Sequence, residues 1–231
     1  MPAADETQLR EMVSLASRVL GSNGHDDFVW GHASARDPEG RGAWMKVSGR
    51  GLTEIGAHDV ILVGADGEVL VGEGPRHVEY PIHTEILAAR PDVGAVVHSH
   101  PPHAIALAAA GDTLRPVSHG GTLFVPPDVP RFTQTADLIV TRELGRAVAE
   151  ALGEHRALFL VNHGIVTVGA DLPTAVVRAI VLERACHQQL LTRSFGMELR
   201  YSDDDEALAK RDSVWHERAI SSVWDHLVRL L

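Results

Sequence analysis

The sequence predicts a three-layer α/β/α fold with a central mixed, mostly antiparallel sheet. Several segments place apolar residues at the spacing of an amphipathic helix, and others are short apolar runs bounded by turn-forming residues, as strands are. The two kinds of segment alternate, which favours a sheet with helices on both faces. The 231 residues are 45% hydrophobic, and no linker rich in serine, glycine or proline divides them. We therefore predict a single domain over residues 1–231 with a helical tail over about 203–231.

The first half of the chain is predicted to begin with a helix and to continue mainly with strands. Residues 5–20 have helical periodicity, and Gly21 follows where a helix would stop. The short apolar runs after that point are separated by glycine, proline, asparagine and aspartate, which indicates strands. The predicted strands are 28–30, 44–47, 60–63, 69–71 and 93–97, and the predicted helices are 80–90 and 101–110.

The second half is predicted to contain long helices and one pair of buried strands. Strands 158–161 and 165–168 are separated by His163 and Gly164, which a turn there would expose. The tail has one apolar stripe, so it must pack on another surface. The predicted helices are 133–152, a helix that begins at Asp171 and Pro173 and runs to about Ser194, and a single tail helix from Asp205.

Charge and hydropathy exclude several classes of protein. The chain has 21 basic and 31 acidic residues, a formal charge of −10, and no basic block, so we expect no nucleic-acid partner. The apolar runs are far shorter than the roughly 20 residues that cross a bilayer, so we expect no membrane span. The acidic, periodic N-terminus is unlike a secretory signal, and the single cysteine suits a reducing compartment. We expect a cytoplasmic protein.

The histidines point to a metal site. His98 and His100 lie at the end of the predicted strand 93–97, where residues i and i+2 point to the same side. His163 lies in a predicted turn, and Glu79 precedes a helix, where it could be an oxygen ligand and a base. An H-x-H pair alone is equally consistent with two surface or core histidines. The combination favours a catalytic ion with one open position, and zinc, manganese, iron and cobalt all suit such ligands.

These motifs resemble the class II aldolase and adducin-head family. The resemblance implies an α/β/α domain in a homotetramer, with a small-molecule substrate bound at sites between subunits. It also implies that His98, His100 and His163 hold a divalent metal, and that Glu79 is an acid/base carboxylate that can touch the metal. The matching segments are His98-Ser99-His100-Pro101, Glu79 nineteen residues before His98, Asn162-His163-Gly164, Gly31 to Arg36, Ser48-Gly49, and Arg90-Pro91-Asp92.

The loop motifs distinguish branches of that family. Its sugar-phosphate aldolases usually have a G-N-x-S loop and a serine pair before the acidic residue, and both grip the substrate phosphate. Here position 32 is histidine, and His77-Val78 precedes Glu79. The loop from Gly31 to Arg36 is more similar to that of decarboxylases acting on hydroxylated aromatic or pyridine dicarboxylates.

The candidate substrate site follows from the same resemblance. We predict Glu79 and His32 as catalytic residues, although His32 could equally cap a local turn. Arg36, Arg76 and His77 could meet a substrate carboxylate, because a guanidinium offers a planar bidentate fork, but an arginine near a turn is more often solvated. The remaining predicted substrate-binding residues are Ser48, Gly49 and Tyr201, the last near a tail tyrosine that relatives use in the adjacent subunit.

The other histidines are expected to have structural roles. His103 and His119 are intermediate, since His103 is close to the metal pair in sequence and His119 precedes two glycines. Those expected in loops or on helix surfaces are His25, His58, His155, His187, His216 and His226.

Three functions are open at this stage. The first is a metal-dependent carbon–carbon lyase that decarboxylates a hydroxylated aromatic or pyridine (di)carboxylate, such as a dihydroxyphthalate, in aromatic catabolism. Glu79, or His32 alone or with a water, would then supply the proton to the ring carbon. The second is a class II aldolase or epimerase, in which Glu79 handles a proton beside a carbonyl. The third is a non-catalytic adducin-like domain, a type that typically lacks the metal histidines.

Overall fold

One sheet of eight strands forms the middle layer of the protein. The computed structural model describes residues 6–231. The strands are β1 His32–Arg36, β2 Gly42–Lys46, β3 Val60–Gly64, β4 Val69–Val71, β5 Ala95–Ser99, β6 Arg131–Phe132, β7 Ala157–Leu160 and β8 Gly164–Gly169. Their order across the sheet is β4-β3-β2-β1-β5-β8-β7-β6. Adjacent strands are antiparallel except β6 and β7, which are parallel, so the predicted mixed, mostly antiparallel sheet is confirmed.

Helices cover both faces of this sheet, as predicted. Strand β5 shows why, because Ala95 and Val97 join one buried apolar cluster while Val96, between them, joins the cluster on the other face. The helices are α1 Glu6–Leu20, α2 Tyr80–Ala89, α3 Pro102–Ala109, α4 His119–Thr122, α5 Arg142–Leu152, α6 Leu172–Ser194, α7 Asp204–Val214 and α8 Glu217–Arg229. The first cluster includes side chains of α1, α3, α6 and α8, and the second includes side chains of α2 and α5.

The first strand does not begin where the sequence pattern placed it. Residues 28–30 form a turn rather than a strand, and β1 starts at His32. Phe28 and Gly31 have positive φ angles of 51° and 74°, which an extended strand does not allow. The apolar Phe28 and Trp30 are therefore exposed rather than buried in the sheet.

Two helix predictions are also corrected. Helix α5 begins at Arg142 instead of residue 133, because the Thr141 side chain accepts a hydrogen bond from the Leu144 N–H and caps the helix there. The tail is two helices, since α7 ends before Trp215 and the His216 ring caps α8. At the N-terminus, the first residue of the predicted helix 5–20 lies outside the described residues. Within residues 6–231, every helix is too short or too polar to cross a membrane.

Strand pairing brings distant histidines to one end of the sheet. In β5, His98 lies opposite His32 of β1 on one side and opposite Val166 of β8 on the other. The turn that leads into β8 carries His163 and lies next to the end of β5. Gly164 allows this close approach, since a Cβ there would lie 2.5 Å from the Ser99 carbonyl oxygen.

Helix α6 offers a matched test of the buried core. Leu182 is fully buried, whereas Leu191 on the same helix is 52% exposed. We expect Leu182→Ala to lower the free energy of unfolding by about 2–5 kcal/mol, because it leaves a cavity. Leu191→Ala should change it by less than about 0.5 kcal/mol. Urea unfolding followed by circular dichroism measures both, and equal effects would contradict the assignment of α6 to the core.

Candidate metal centre

Four side chains meet at the end of β5. Glu79 lies at the N-terminus of α2, His98 and His100 lie at the end of β5, and His163 lies in the turn before β8. Their ligand atoms all lie within 4.8 Å of one another. The Nε2 atoms of His98 and His100 are 3.1 Å apart, and the Glu79 carboxylate lies 3.7 Å from His98 Nε2 and 3.5 Å from His163 Nε2. The structure thus brings together all four residues that the sequence predicted as ligands.

Hydrogen bonds orient two of the three imidazoles toward the centre. His98 Nδ1 lies 3.0 Å from the Ile165 carbonyl oxygen, and His100 Nδ1 lies 2.9 Å from the Asp27 carboxylate. Both partners can only accept, so each Nδ1 carries the proton and each Nε2 presents a lone pair. This is how proteins fix the tautomer of metal-binding histidines.

His163 indicates that the cluster needs an ion. Both of its ring nitrogens are buried, and neither has a hydrogen-bond partner among residues 6–231. Buried polar atoms are normally paired, and a divalent ion would give one of these two nitrogens a partner. Burial and the neighbouring His98 lower the pKa of His163, and the same two causes lower the pKa of His100 to about 4. Both rings are therefore neutral, and a histidine must be neutral to bind a metal. The donor set of three imidazoles and one carboxylate fits a divalent metal of the kinds predicted.

Glu79 is held as a carboxylate. Burial alone would raise its pKa, but its contacts with His98 and a 2.8 Å hydrogen bond from the Ile139 N–H outweigh burial and lower the pKa to about 2. Ile139 lies in the irregular segment that the sequence pattern assigned to a helix. That segment therefore has a role at the site that a helix could not fill.

A cavity of about 770 Å³ opens beside the cluster. Glu79, His100 and His163 form part of its wall, together with Asp26 and Asp27. The remaining wall is largely apolar, and no lysine or arginine of the described chain contributes to it. The apolar lining residues include Trp30, Pro102, Ile105, Ala106 and Leu138.

A second group of histidines lies behind the metal cluster. The His32 ring is 5.2 Å from the His98 ring and 4.3 Å from the His77 ring, measured between centroids. His32 Nδ1 lies 2.6 Å from His83 Nε2, and His83 Nδ1 lies 2.6 Å from the Ser34 hydroxyl. Burial is the main cause that lowers the pKa of His32, His77 and His83, and it lowers that of His77 to about 3. These three rings are therefore neutral. His83 was missed by sequence reasoning, although its spacing of four from Glu79 on a helix was a signal.

Lys46 ties together the loops around this group. Its ammonium group is fully buried and donates to the carbonyl oxygens of Val29 at 3.1 Å and Arg50 at 2.7 Å, and to His77 Nε2 at 3.0 Å. Burial lowers its pKa to about 8. Sequence reasoning also missed Lys46, but a lysine within an apolar strand is unusual enough to have been a signal.

Ser48 and Gly49 lie on one of the loops that Lys46 holds. The Ser48 N–H donates to the Pro75 carbonyl oxygen at 2.7 Å, and Gly49 has a positive φ of 82°. The pair is therefore close in the fold to His77. Neither residue lines the cavity beside the metal cluster.

The structure does not bring Arg36 to the site. Arg36 ends β1, four residues and about 13 Å from His32 at the strand's other end. Its guanidinium donates to the carbonyl oxygens of Leu87, Arg90 and Val93 at 2.7–2.8 Å, so it holds β1 against the connection between α2 and β5.

Tyr201 also lies apart from the cluster within this chain. Its ring packs against the Arg115 guanidinium, 5.1 Å from the ring centroid, and lines a separate cavity with His119 and Lys210. Its role in an adjacent subunit stays a prediction.

His25 and His103 have structural partners. His25 was expected at the surface but is buried. Its Nδ1 lies 2.8 Å from the hydroxyl of Ser99, the residue between His98 and His100 in the sequence. His103 pairs with Glu183 at 2.5 Å and stacks on His187. Glu183 also accepts from the N–H groups that begin α3, so this pair anchors that helix to α6.

The Arg36 contacts predict a structural role. We expect Arg36→Lys to lower the free energy of unfolding by about 1–3 kcal/mol, because an ammonium cannot reproduce the planar fork that meets three carbonyls. Urea unfolding and a zinc titration measure the two properties, and zinc affinity should not change. A variant of normal stability with a raised KM would instead support a role in substrate binding.

Asp27 and Asp26 provide a matched pair for the metal centre. Both line the cavity, but only Asp27 bonds to His100. We expect Asp27→Ala to weaken zinc binding by about 10–100-fold, because His100 loses the partner that fixes its tautomer. Asp26→Ala should change the affinity much less. Competition with a chromophoric chelator measures both, and equal losses would show that only the negative charge matters.

Comparisons with known proteins agree with this geometry. The family model described as Class II Aldolase and Adducin N-terminal domain matches residues 11–190. A 3,4-dihydroxyphthalate decarboxylase from Arthrobacter keyseri is 32% identical over 237 residues, covering 93% of this chain and 95% of that protein. L-fuculose 1-phosphate aldolase from Glaciozyma antarctica PI12 is 30% identical with a TM-score of 0.85, covering 97% of this chain and 88% of that one. An aldolase II superfamily protein from Pseudomonas syringae is 26% identical with a TM-score of 0.86, covering 99% and 93%.

The matched residues include all four members of the metal cluster. The relatives named above include a decarboxylase and an aldolase, and both are lyases. The chain belongs to the class II aldolase and adducin family, and it is an enzyme of the lyase class found there.

Proposed function

We propose that the protein is a metal-dependent, non-oxidative decarboxylase of a hydroxylated aromatic or pyridine (di)carboxylate. The observation that carries this proposal is the cavity of about 770 Å³ beside the metal cluster, whose wall is largely apolar apart from the cluster, Asp26, Asp27 and Asn162. A flat ring fits such a wall. The name of the Arthrobacter relative supports a substrate of the dihydroxyphthalate type.

The metal site fits the chemistry of this reaction. Glu79, His98, His100 and His163 would hold a zinc, manganese, iron or cobalt ion, which supplies an electrophile for the substrate oxygens when bound. Trp30, Ile105 and Leu138 would bind the ring and keep water from it.

Glu79 would move the proton. Loss of carbon dioxide leaves an electron pair on the ring carbon, and a proton must replace the carboxylate there. Since the Glu79 carboxylate is ionised at rest, it would first take the proton of the substrate hydroxyl beside the leaving group and then return it to the ring carbon. The product of this step is a phenolate, which takes its hydroxyl proton from water when it leaves.

We further propose that the protein is a cytoplasmic homo-oligomer, a tetramer by family likeness, with its sites between subunits. Large apolar side chains near the cavity mouth are exposed in the single chain, which supports a partner surface there. They are Phe28, Trp30, Val78, Leu138 and Val140.

An aldolase or epimerase acting on a sugar phosphate or a related hydroxy-carbonyl compound is the second candidate. The similarity to L-fuculose 1-phosphate aldolase favours it, and Glu79 would then handle a proton beside a carbonyl. Histidine at position 32 and the residues His77-Val78 before Glu79, where sugar-phosphate aldolases usually have an asparagine and a serine pair, weigh against a phosphate. The complete set of four metal-site residues weighs against a non-catalytic adducin-like domain.

Carbon dioxide release tests the proposal. Protein reconstituted with manganese, zinc or iron should release carbon dioxide from one or more ortho-hydroxy aromatic or pyridine carboxylates, and His98→Ala should abolish the release. No release from any of them, with cleavage of a phosphorylated or free ketose, would overturn the decarboxylase proposal and establish the aldolase.

Glu79→Gln separates proton transfer from metal binding. The amide keeps an oxygen toward the cluster but cannot carry the proton, so we expect turnover to fall by about 10²–10⁴-fold while metal remains bound. Metal analysis and a carbon dioxide assay on the same sample measure both properties. Unchanged turnover would show that another group moves the proton.

A further inference from the structure

A buried chain of hydrogen bonds leads from Ser34 through His83 to His32. The Ser34 hydroxyl lies 2.6 Å from His83 Nδ1, and His83 Nε2 lies 2.6 Å from His32 Nδ1. Ser34 and His83 are fully buried, and His32 is 2% exposed. Since a buried hydrogen bond needs one donor and one acceptor at each step, the protons along this chain must all run in the same direction.

Only one direction pairs the Ser34 hydroxyl proton, and it leaves the unpaired proton on His32 Nε2, which is not among the fully buried side-chain atoms without a partner. If Ser34 donates to His83 Nδ1, then His83 Nε2–H donates to His32 Nδ1. In the opposite direction, His32 Nδ1–H donates to His83 Nε2 and His83 Nδ1–H donates to the serine oxygen. The hydroxyl proton of Ser34 then has no acceptor in the hydrogen bonds of the described residues, which is costly for a buried donor.

We infer that Ser34 and His83 hold His32 as the neutral tautomer with its proton on Nε2, so that His32 offers the substrate a hydrogen-bond donor and not a base. His32 lies opposite His98 in the sheet, with the two rings 5.2 Å apart, so it is next to the metal cluster although it is not part of the cavity wall. Nδ1 is engaged by His83, so Nε2 is the ring nitrogen left for the site. The inference rests on the proposed function only in that a substrate oxygen accepts this hydrogen bond.

Burial keeps both histidines of this hydrogen-bond chain neutral. Burial lowers the pKa of His32 and of His83 well below the usual value, and the neighbouring histidines add to this effect. His32 as an imidazolium acid is thereby disfavoured. An N–H donor fixed before the substrate arrives can stabilise negative charge on a substrate oxygen without giving up its proton. The substrate group it selects is therefore an acceptor, such as a phenolate or carboxylate oxygen.

Ser34 and His83 are then positioning residues, and His32 is the residue whose Nε2–H would donate to an oxygen of a substrate bound at the metal cluster. The alternative is that the pair only joins β1 to α2, since Ser34 lies on the first element and His83 on the second. A stability measurement alone cannot distinguish the two, because both roles predict that the variants are less stable.

Nuclear magnetic resonance reads the tautomer directly. Protein with ¹⁵N-labelled histidine and bound zinc, which is diamagnetic, gives long-range ¹H–¹⁵N spectra that show which ring nitrogen carries the proton. His32→Asn identifies the His32 signals among those of the 14 histidines. We expect the proton on Nε2 of His32. A proton on Nδ1 would overturn the inference, and this measurement needs neither turnover nor a known substrate.

Variants of Ser34 and His83 then test the hydrogen-bond chain. Ser34→Ala removes the hydroxyl that sets the direction of the hydrogen bonds, so we expect a mixture of His32 tautomers. We expect kcat to fall by at most about tenfold and zinc affinity not to change. His83→Gln keeps a donor toward His32 and an acceptor toward Ser34, so it should retain the tautomer and most of kcat. His83→Met has neither the donor nor the acceptor, so it should have the same effect as Ser34→Ala.

The outcomes separate this inference from the proposed function. If Ser34→Ala and His83→Met unfold more easily in urea but keep the wild-type tautomer, the pair is only structural and the inference is wrong. If the tautomer is as expected but no carboxylate releases carbon dioxide, the proposed decarboxylase activity fails and the inference stands. If a variant does not fold, the spectrum of the wild-type protein still decides the tautomer.

Discussion

The pairing of β5 with β1 and β8 is the constraint on which the site depends. His98 lies opposite His32 on one side, and on the other side the turn that carries His163 is held against the end of β5. Gly164 makes this possible, since a Cβ there would lie 2.8 Å from the His100 ring as well as 2.5 Å from the Ser99 carbonyl oxygen. A shift of one residue in either pairing would turn these side chains to the opposite face of the sheet.

Three histidines at this end of the sheet are each oriented by a different neighbour. A backbone carbonyl holds His98, the Asp27 carboxylate holds His100, and the buried Lys46 ammonium holds His77. Buried polar groups stabilise a unique arrangement only when they are paired, and here almost all of them are. Among the histidines of residues 6–231, the buried nitrogens without a partner are His25 Nε2 and both nitrogens of His163, and a metal ion in the cluster would bind one nitrogen of His163.

Sequence reasoning found the groups whose placement depends on local structure. An H-x-H pair at a strand end, a histidine in a tight turn and a carboxylate before a helix can each be predicted from periodicity and turn residues. Asp27 and Lys46 could not be assigned in this way, because their partners, His100 and His77, are 73 and 31 residues away in the chain. Only the register of the sheet brings those pairs together.

The failed fold predictions have a similar cause. Leu138, Ile139 and Val140 looked like part of a helix, but Leu138 and Val140 are exposed, and the Ile139 N–H binds Glu79. A long-range contact thus replaced a local preference. Arg36 suited a carboxylate by its chemistry, yet backbone carbonyls at the far end of β1 use its donors.

The central claim is that the cluster of Glu79 and the three histidines binds one divalent ion that the substrate reaches through the adjoining cavity. Titration of the metal-free protein with cobalt(II), followed by visible absorption, tests it most directly. The account predicts one cobalt per chain, and a spectrum that changes when an ortho-hydroxy aromatic carboxylate is added. Failure to bind cobalt stoichiometrically, or a spectrum that no such carboxylate alters, would contradict it.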